Sequence, residues 1–322
     1  MKRYYSAFVM AVFLLMISVS VHAELSSNLQ IQKELKPNTN LTTRETYVDS
    51  QGNPVVASDK GYATIIYTYN GANLLTETRF LNASGETVNC TEGYAIVQYT
   101  YQQRNVIKTV YLDASGFPAI GPEGYAVKEI KRGARGVAKE TLEYDAEGQL
   151  LKHGITEYVD EQKSNLIKSQ AWYNGQNELT EGPEGYAKAI YEYNKRKKRH
   201  VAYFKPDGSL FFYKKDGYAE MEEVYDKGVL KELHYYGEDG QLIAGPKGFA
   251  QATYSYAKGG DETLTMYYNA DGSLFFTSKG YCGIKQLYKN KKVVDESYYK
   301  DEGVRGYSDD GYSRTTIQYT LW

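Results

Sequence analysis

Gly61-Tyr62-Ala63-Thr64-Ile65-Ile66-Tyr67-Thr68-Tyr69, continued by Asn70-Gly71-Ala72-Asn73 and a second apolar run from Leu74 to Leu81, decides the fold class. Ala63, Ile65, Tyr67 and Tyr69 fall on one side of an extended chain, and Thr64, Ile66 and Thr68 on the other. Alternation of period two marks a half-buried strand. The polar break is built of turn formers, so the stretch reads as a β-hairpin. Ala187, Ala189, Tyr191 and Tyr193 repeat the pattern, as do Ala250, Ala252, Tyr254 and Tyr256. Helical periodicity is absent outside the N-terminal segment.

Moving outward, Gly-Tyr-Ala or a near copy recurs at Gly61, Gly93, Gly124, Gly154, Gly185, Gly217, Gly248, Gly280 and Gly311, at intervals of 30 to 32 residues. Gly154 is the degenerate member, followed by Ile155 and Thr156. An aromatic residue followed by a short turn ending in Gly keeps the same beat, as in Tyr111-Leu112-Asp113-Ala114-Ser115-Gly116. A longer beat lies on top. Gly-Pro-x-Gly occurs at Gly121, Gly182 and Gly245, and Asp207-Gly-Ser-Leu-Phe-Phe212 returns as Asp271-Gly-Ser-Leu-Phe-Phe276. A fixed period in this range marks an array whose units bury a shared face by stacking on neighbours. The expectation is an all-β fold in which tandem hairpin repeats of about 31 residues stack into an elongated coiled sheet or solenoid.

The N-terminus reads as an export signal. Lys2 and Arg3 precede an uncharged apolar run from Ala7 to Val21, and Val21-His22-Ala23 fits a small-residue cleavage site. An uncleaved anchor is the other reading, against which the run is short for a membrane span of ~20 residues. No Cys follows the cleavage site, which argues against a lipoprotein. The expected organisation is a signal peptide over 1–23, a leader or N-terminal cap over 24–44, and one tandem-repeat β domain over 45–322, with the last of about nine units incomplete. The destination is the periplasm, the cell surface or the medium, with no membrane span after cleavage. A transmembrane barrel is disfavoured because Lys128, Glu129, Glu220, Glu222 and Glu223 put charge on both faces of strands.

Without Lys2 and Arg3, the 38 basic residues fall to 36 against 40 acidic ones, a net charge of about −4. That balance gives no general pull toward nucleic acid. Tyrosine is the outlier, with 34 copies beside two Trp; the alternation places it in a core ladder rather than on a binding surface. Cys90 and Cys282 lie about six repeats apart, too far in an open array for a disulfide, whose Cα atoms must come within ~7 Å.

Tyr67-Thr68-Tyr69-Asn70-Gly71-Ala72-Asn73-Leu74, Tyr144-Asp145-Ala146-Glu147-Gly148-Gln149-Leu150 and Tyr268-Asn269-Ala270-Asp271-Gly272-Ser273-Leu274 resemble the Y-x-Y-D-x-x-G-x-L pattern of YD repeats. MORN-type and cell-wall-binding repeats look similar, with different spacings. The YD resemblance implies a coiled β-sheet shell of the kind found in bacterial surface and toxin-delivery proteins. The chain departs from it in its longer period and its Gly-Tyr-Ala mark.

Chemistry is sparse. His153, His200 and His234 lie in different units without metal-ligand spacing. The fragment Asn269-Ala270-Asp271-Gly272 lacks the further ligands of a calcium loop. No set of catalytic roles assembles, so neither an enzyme nor a cofactor is expected. The charge layout is more informative. The turn after the Tyr-x-Tyr strand is basic, with Lys131, Arg132 and Arg135, then Lys195, Arg196, Lys197, Lys198 and Arg199, then Lys289, Lys291 and Lys292. The Asp/Ser-x-Gly turn is acidic, with Asp113, Asp145, Glu147, Asp207, Glu238, Asp239, Asp271, Asp301 and Glu302. Stacking would line like turns along one edge. A basic edge suits an acidic envelope polysaccharide or a surface protein, although charged turns also protect exposed edges. Candidate contact residues are Lys195–Arg199, Lys289, Lys291, Lys292 and Trp172, the last in the irregular stretch between Gly154 and Gly185. The expected role is an exported binding or adhesion scaffold. The alternatives are a structural envelope component without ligand and, last, a glycan-active enzyme.

Overall fold

The computed structural model describes residues 29–257, 260–290, 292–301, 304–305 and 314–316. The expected signal peptide, the start of the leader, Lys291, Glu302 and most of the incomplete last unit lie outside them. Among the described residues the fold is antiparallel β with one 3-10 turn, Ala134–Gly136. Among the described residues no helix is long and apolar enough to cross a membrane.

The chain divides into two compact units, Met1–His153 and Gly154–Trp322. The first is a meander of β1 (Gln30–Leu35), β2 (Thr42–Val48), β3 (Thr64–Tyr69), β4 (Leu75–Leu81), β5 (Ile96–Gln102), β6 (Asn105–Leu112), β7 (Val127–Arg132), β8 (Ala138–Tyr144) and the start of β9 (Leu150–Tyr158). The second takes the rest of β9, then β10 (Ile167–Asn174), β11 (Lys188–Asn194), β12 (Lys197–Phe204), β13 (Glu220–Asp226), β14 (Val229–Tyr236), β15 (Gln251–Tyr256), β16 (Glu262–Tyr268), β17 (Gly283–Lys289) and β18 (Lys292–Asp301). Two short strands, Val304–Arg305 and Arg314–Thr316, pair with β18.

The recurring alanine explains the repeat. In the first unit Ala63, Ala95 and Ala126 are completely buried. Each donates its N–H to the end of its own hairpin, to Leu81, Leu112 and Tyr144, at 2.8 Å. Each also accepts a bond from the preceding hairpin, from Tyr47, Phe80 and Tyr111. Ala187, Ala219 and Ala250 do the same in the second unit, and Cys282 takes the seat in the last copy. A methyl fits where two hairpins meet; anything much larger overpacks it. Both cysteines are buried, and they form no disulfide with each other.

Two residues beyond five of these six alanines, the strand faces an aromatic on the returning strand: Ile65 opposite Phe80, Val97 opposite Tyr111, Ala189 opposite Tyr203, Met221 opposite Tyr235, Ala252 opposite Tyr267. The tyrosine of Gly-Tyr-Ala inserts between successive aromatics. In the first unit the rings run Tyr47, Tyr62, Phe80, Tyr94, Tyr111 and Tyr125, with centroids 4.5–6.0 Å apart. In the second they run Tyr186, Tyr203, Tyr218, Tyr235, Phe249 and Tyr267 at 4.9–6.3 Å. Each such pair adds ~0.5–1.5 kcal/mol beyond the burial of the rings. Burial also holds the phenols of Tyr67, Tyr254 and Tyr267 up at about 12.

The two-unit beat has a steric cause. A Cβ at Gly121, Gly182 or Gly245 would stand 2.6 Å or less from the ring of Tyr111, Trp172 or Tyr235. In alternating copies Phe211 and Phe275 instead rest on Gly185 and Gly248.

Gly154 departs from its expected role. The other Gly-Tyr-Ala glycines described have positive φ and close turns. Gly154 sits mid-strand in β9, where a Cβ would meet the Trp172 ring at 2.5 Å. The connection from β8 to β9 is the short turn Asp145–Gln149, without a Gly-Tyr-Ala segment. A mid-strand glycine here makes room for a close approach.

Candidate functional site

Two features of the second unit stand out: a groove on the sheet face opposite the ring ladder, and the exposed turn between β11 and β12.

The groove crosses β9, β10 and β11. It encloses about 450 Å³ and is lined by Ile155, Glu157, Lys168, Ser169, Ala171, Tyr173, Lys188, Ile190, Tyr191 and Glu192. Register puts Ser169 opposite Ile190 and Ala171 opposite Lys188. The hollow exists because short side chains, Ser169 and Ala171, occupy the middle strand while longer ones rise around them. Ile155, Ala171 and Ile190 form an apolar floor, and Tyr173 adds an aromatic wall. On the rim, Glu157 accepts from Ser169 Oγ at 3.1 Å and faces Lys168 Nζ at 3.6 Å. Glu192 is held by Arg199, whose Nε and Nη2 donate at 3.0 and 2.9 Å. Lys188 is exposed and forms no ion pair among the described residues.

Trp172 lies on the opposite face of the same strand. It occupies the ladder position, half-buried between Gly154 and Gly182, and its N–H bonds Ala187 O at 2.9 Å. The irregularity of this stretch thus places Trp172 in the core row, and the ligand-sized space opens behind it.

The five cations of the basic turn are all exposed. Lys195 takes positive φ and makes the bend with Arg196. Lys197 pairs with the buried Glu223, which also accepts from Tyr225 Oη at 2.6 Å. Lys198 lies over the Tyr191 ring, 4.7 Å from its centroid. Arg199 is committed to Glu192. Five cations against two carboxylates leave three positive charges on one bend. On the same edge of the meander Lys289 and Lys292 are exposed in the β17–β18 turn.

The turns that join one hairpin to the next are acidic, and most of their carboxylates hold backbone. Asp113 Oδ1 accepts from Ser115 N and Phe117 N, Asp145 from Gln149 N and Asp239 from Gln241 N. Hydrogen bonds from Ser209 and Ser273 hold Asp207 and Asp271 below the usual carboxylate range. Glu238 ties two copies together, accepting from Phe212 N at 2.9 Å and pairing with Lys205 at 2.9 Å. Asp residues serve such turns because their side chains accept from backbone two and four residues on.

The histidines are occupied. His153 meets Glu140 at 3.1 Å, His200 meets Glu220 at 2.7 Å, and His234 meets Glu232 at 2.8 Å. The bond to Glu220 raises the His200 pKa above its ordinary value. Among the described residues no group of three His, Cys, Asp or Glu side chains could hold a metal ion.

No family model and no curated protein matches this chain. Solved structures similar to it include a TcdB2-TccC3-TEV structure at 9% identity and a TM-score of 0.25, covering 84% of this chain and 12% of that one. A porin-like protein from Bacteroides uniformis is 10% identical at a TM-score of 0.23, covering 81% of this chain and 91% of that one. A Photorhabdus luminescens Tc holotoxin pore structure is 10% identical at a TM-score of 0.23, covering 85% and 16%. Scores of that size assign no family.

No sequence motif marks the groove, because its residues are ordinary strand residues. The one signal was the stretch from Gly154 to Gly185, where the Gly-Tyr-Ala mark fails and Ser169 stands where other hairpins carry Glu77, Lys108, His200 or Glu232.

Proposed function

We propose that the chain is an exported β-repeat binding scaffold, built from tandem hairpins stacked into a coiled sheet or solenoid of YD-repeat type, that contacts an acidic envelope polysaccharide through its basic hairpin edge. The observation that carries this reading is the turn over residues 194–199, where pairing with Glu192 and Glu223 leaves three exposed positive charges. The sequence of its N-terminus supports export. The acidic turns, by contrast, spend their carboxylates on backbone, so the two edges differ in what they offer a ligand.

The test is binding of residues 24–322 to polygalacturonate and to neutral galactan across salt concentrations. Lys195, Arg196 and Lys198 are the cations to neutralise, because Lys197 and Arg199 hold Glu223 and Glu192. Saturable binding to the acidic polymer, falling as salt screens the charges and largely lost in the Lys195→Gln/Arg196→Gln/Lys198→Gln variant, is expected. Equal binding by the triple variant, or none by the parent, moves the reading to a protein partner or to a structural part of the envelope.

A further inference from the structure

The geometry points to the groove between β9 and β11 as a binding site for a single carboxylated sugar, a uronate residue, with Lys188 receiving its carboxylate. This deepens the polysaccharide reading and rests on it for the ligand class, while none of the turn's cations lines the site.

Three features of the groove choose the ligand. Its volume of about 450 Å³ lies at the lower end of the ~300–1,000 Å³ of small-molecule clefts. That is room for a short saccharide rather than for a folded segment. Its surface is divided as a pyranose is divided. Ile155, Ala171 and Ile190 face the apolar C–H side of a ring, the half-buried Tyr173 offers an aromatic face, and Ser169, Glu157 and Lys168 offer partners for hydroxyls. Its charge is also specific. Both rim carboxylates are committed, Glu157 to Lys168 and Ser169, and Glu192 to Arg199. Lys188 is the lining cation without a carboxylate among the described residues. One ammonium without an ion pair above an apolar floor, flanked by two carboxylates that accept hydrogen bonds from hydroxyls, suits a ligand with one negative charge and several O–H donors. A phosphate ester, bringing more charge toward Glu157 and Glu192, suits it less.

The experiment titrates residues 24–322 with D-galacturonate, D-galactose and D-galactose 6-phosphate by calorimetry and by amide chemical-shift perturbation. Saturable binding of galacturonate is expected, about tenfold tighter than galactose, because a hydrogen bond to a charged group discriminates by that order. Lys188→Gln should erase that preference, bringing galacturonate down to the level of galactose. Ala171→Leu should fill the floor and abolish both. Lys188 is exposed, so its variant stands as a test even where Ala171→Leu perturbs folding. The Lys195→Gln/Arg196→Gln/Lys198→Gln variant should still bind galacturonate while losing polygalacturonate. No saturable galacturonate binding, an undiminished preference in Lys188→Gln, or tighter binding of the phosphate overturns the groove proposal even if the turn still binds polymer. Galacturonate binding at the groove with no turn-dependent polymer binding overturns the edge reading alone.

Discussion

The hairpins β7–β8 and β11–β12 have the same backbone and opposite cores. Both begin after a fully buried alanine, Ala126 and Ala187, and both carry a register shift near the end of the first strand. At the ladder position β11–β12 sets Ala189 against Tyr203, whose ring continues the row to Tyr186 and Tyr218. The same position in β7–β8 sets Lys128 against Glu143 at 3.1 Å, and the ring row reaches no further than Tyr125. Lys128 also lies over the Tyr125 ring and within 3.6 Å of Glu123. A second difference follows the same rule. Tyr193 Oη donates to Ile167 O in the preceding hairpin at 2.9 Å, while in β7 Arg132 Nη2 reaches Val106 O at 2.9 Å. The alanine seat and the turn glycines fix the repeat. The ladder position accepts any pair that fills the space and satisfies its polar atoms.

The hairpin with the rings has the most to lose. Tyr203→Ala removes the bulkiest fully buried side chain and the bond from its hydroxyl to Asp216 at 2.6 Å. It should destabilise the protein by about 3–5 kcal/mol, the usual cost of emptying an aromatic site, read from denaturant unfolding; a loss under ~1 kcal/mol would mean the ladder is not the core. In β7–β8, Glu143→Gln leaves Lys128 beside a neutral amide and should cost about 1–3 kcal/mol. The double variant Lys128→Ile/Glu143→Tyr writes the aromatic solution into this hairpin. It should recover that loss or exceed it, since apolar replacement of a buried ion pair is often neutral or stabilising. A double variant no more stable than the single one would show that the two cores are not interchangeable.

Most of this architecture was legible in the sequence because period two and the Gly-Tyr-Ala mark are local. Ala63 to Tyr69 reads as a strand and is one, and the ladder follows from its apolar face. What failed was long-range. Gly154 keeps the spacing because the missing segment between β8 and β9 is offset by the longer connection from β9 to β10, residues 159–166, which leaves the glycine mid-strand against Trp172. The basic turn was visible as composition, but its charge balance depends on Lys197 meeting Glu223, which only the pairing of hairpins brings together. The groove depends on which short residues become neighbours across three strands, and register is a property of the fold rather than of any one motif.

The smallest expected effect lies on the outer faces of the same two hairpins, where pH separates them. In β11–β12 the Glu220 carboxylate raises the His200 pKa above its ordinary 6.5, and Glu192 and Glu222 add to the effect while partial burial opposes it. A raised histidine contributes stability that is full below 6.5 and is lost as pH rises through the folded-state value. In β7–β8 Lys131 lowers the pKa of Glu140, with a further bond from His153. That contribution is present above 4.5 and is lost as pH falls through the lowered value. The two hairpins therefore weaken at opposite ends of the pH scale. His200→Gln should flatten the fall in stability just above 6.5 by less than ~1 kcal/mol, as befits a partly exposed pair. Glu140→Gln should leave the slope in that window unchanged, lower stability evenly above 4.5 and flatten the fall in acid. Unfolding midpoints measured across both windows for the parent and each variant decide it: a parent whose stability does not change above 6.5 would remove His200–Glu220 as a contributor and leave the outer faces of the two hairpins energetically alike.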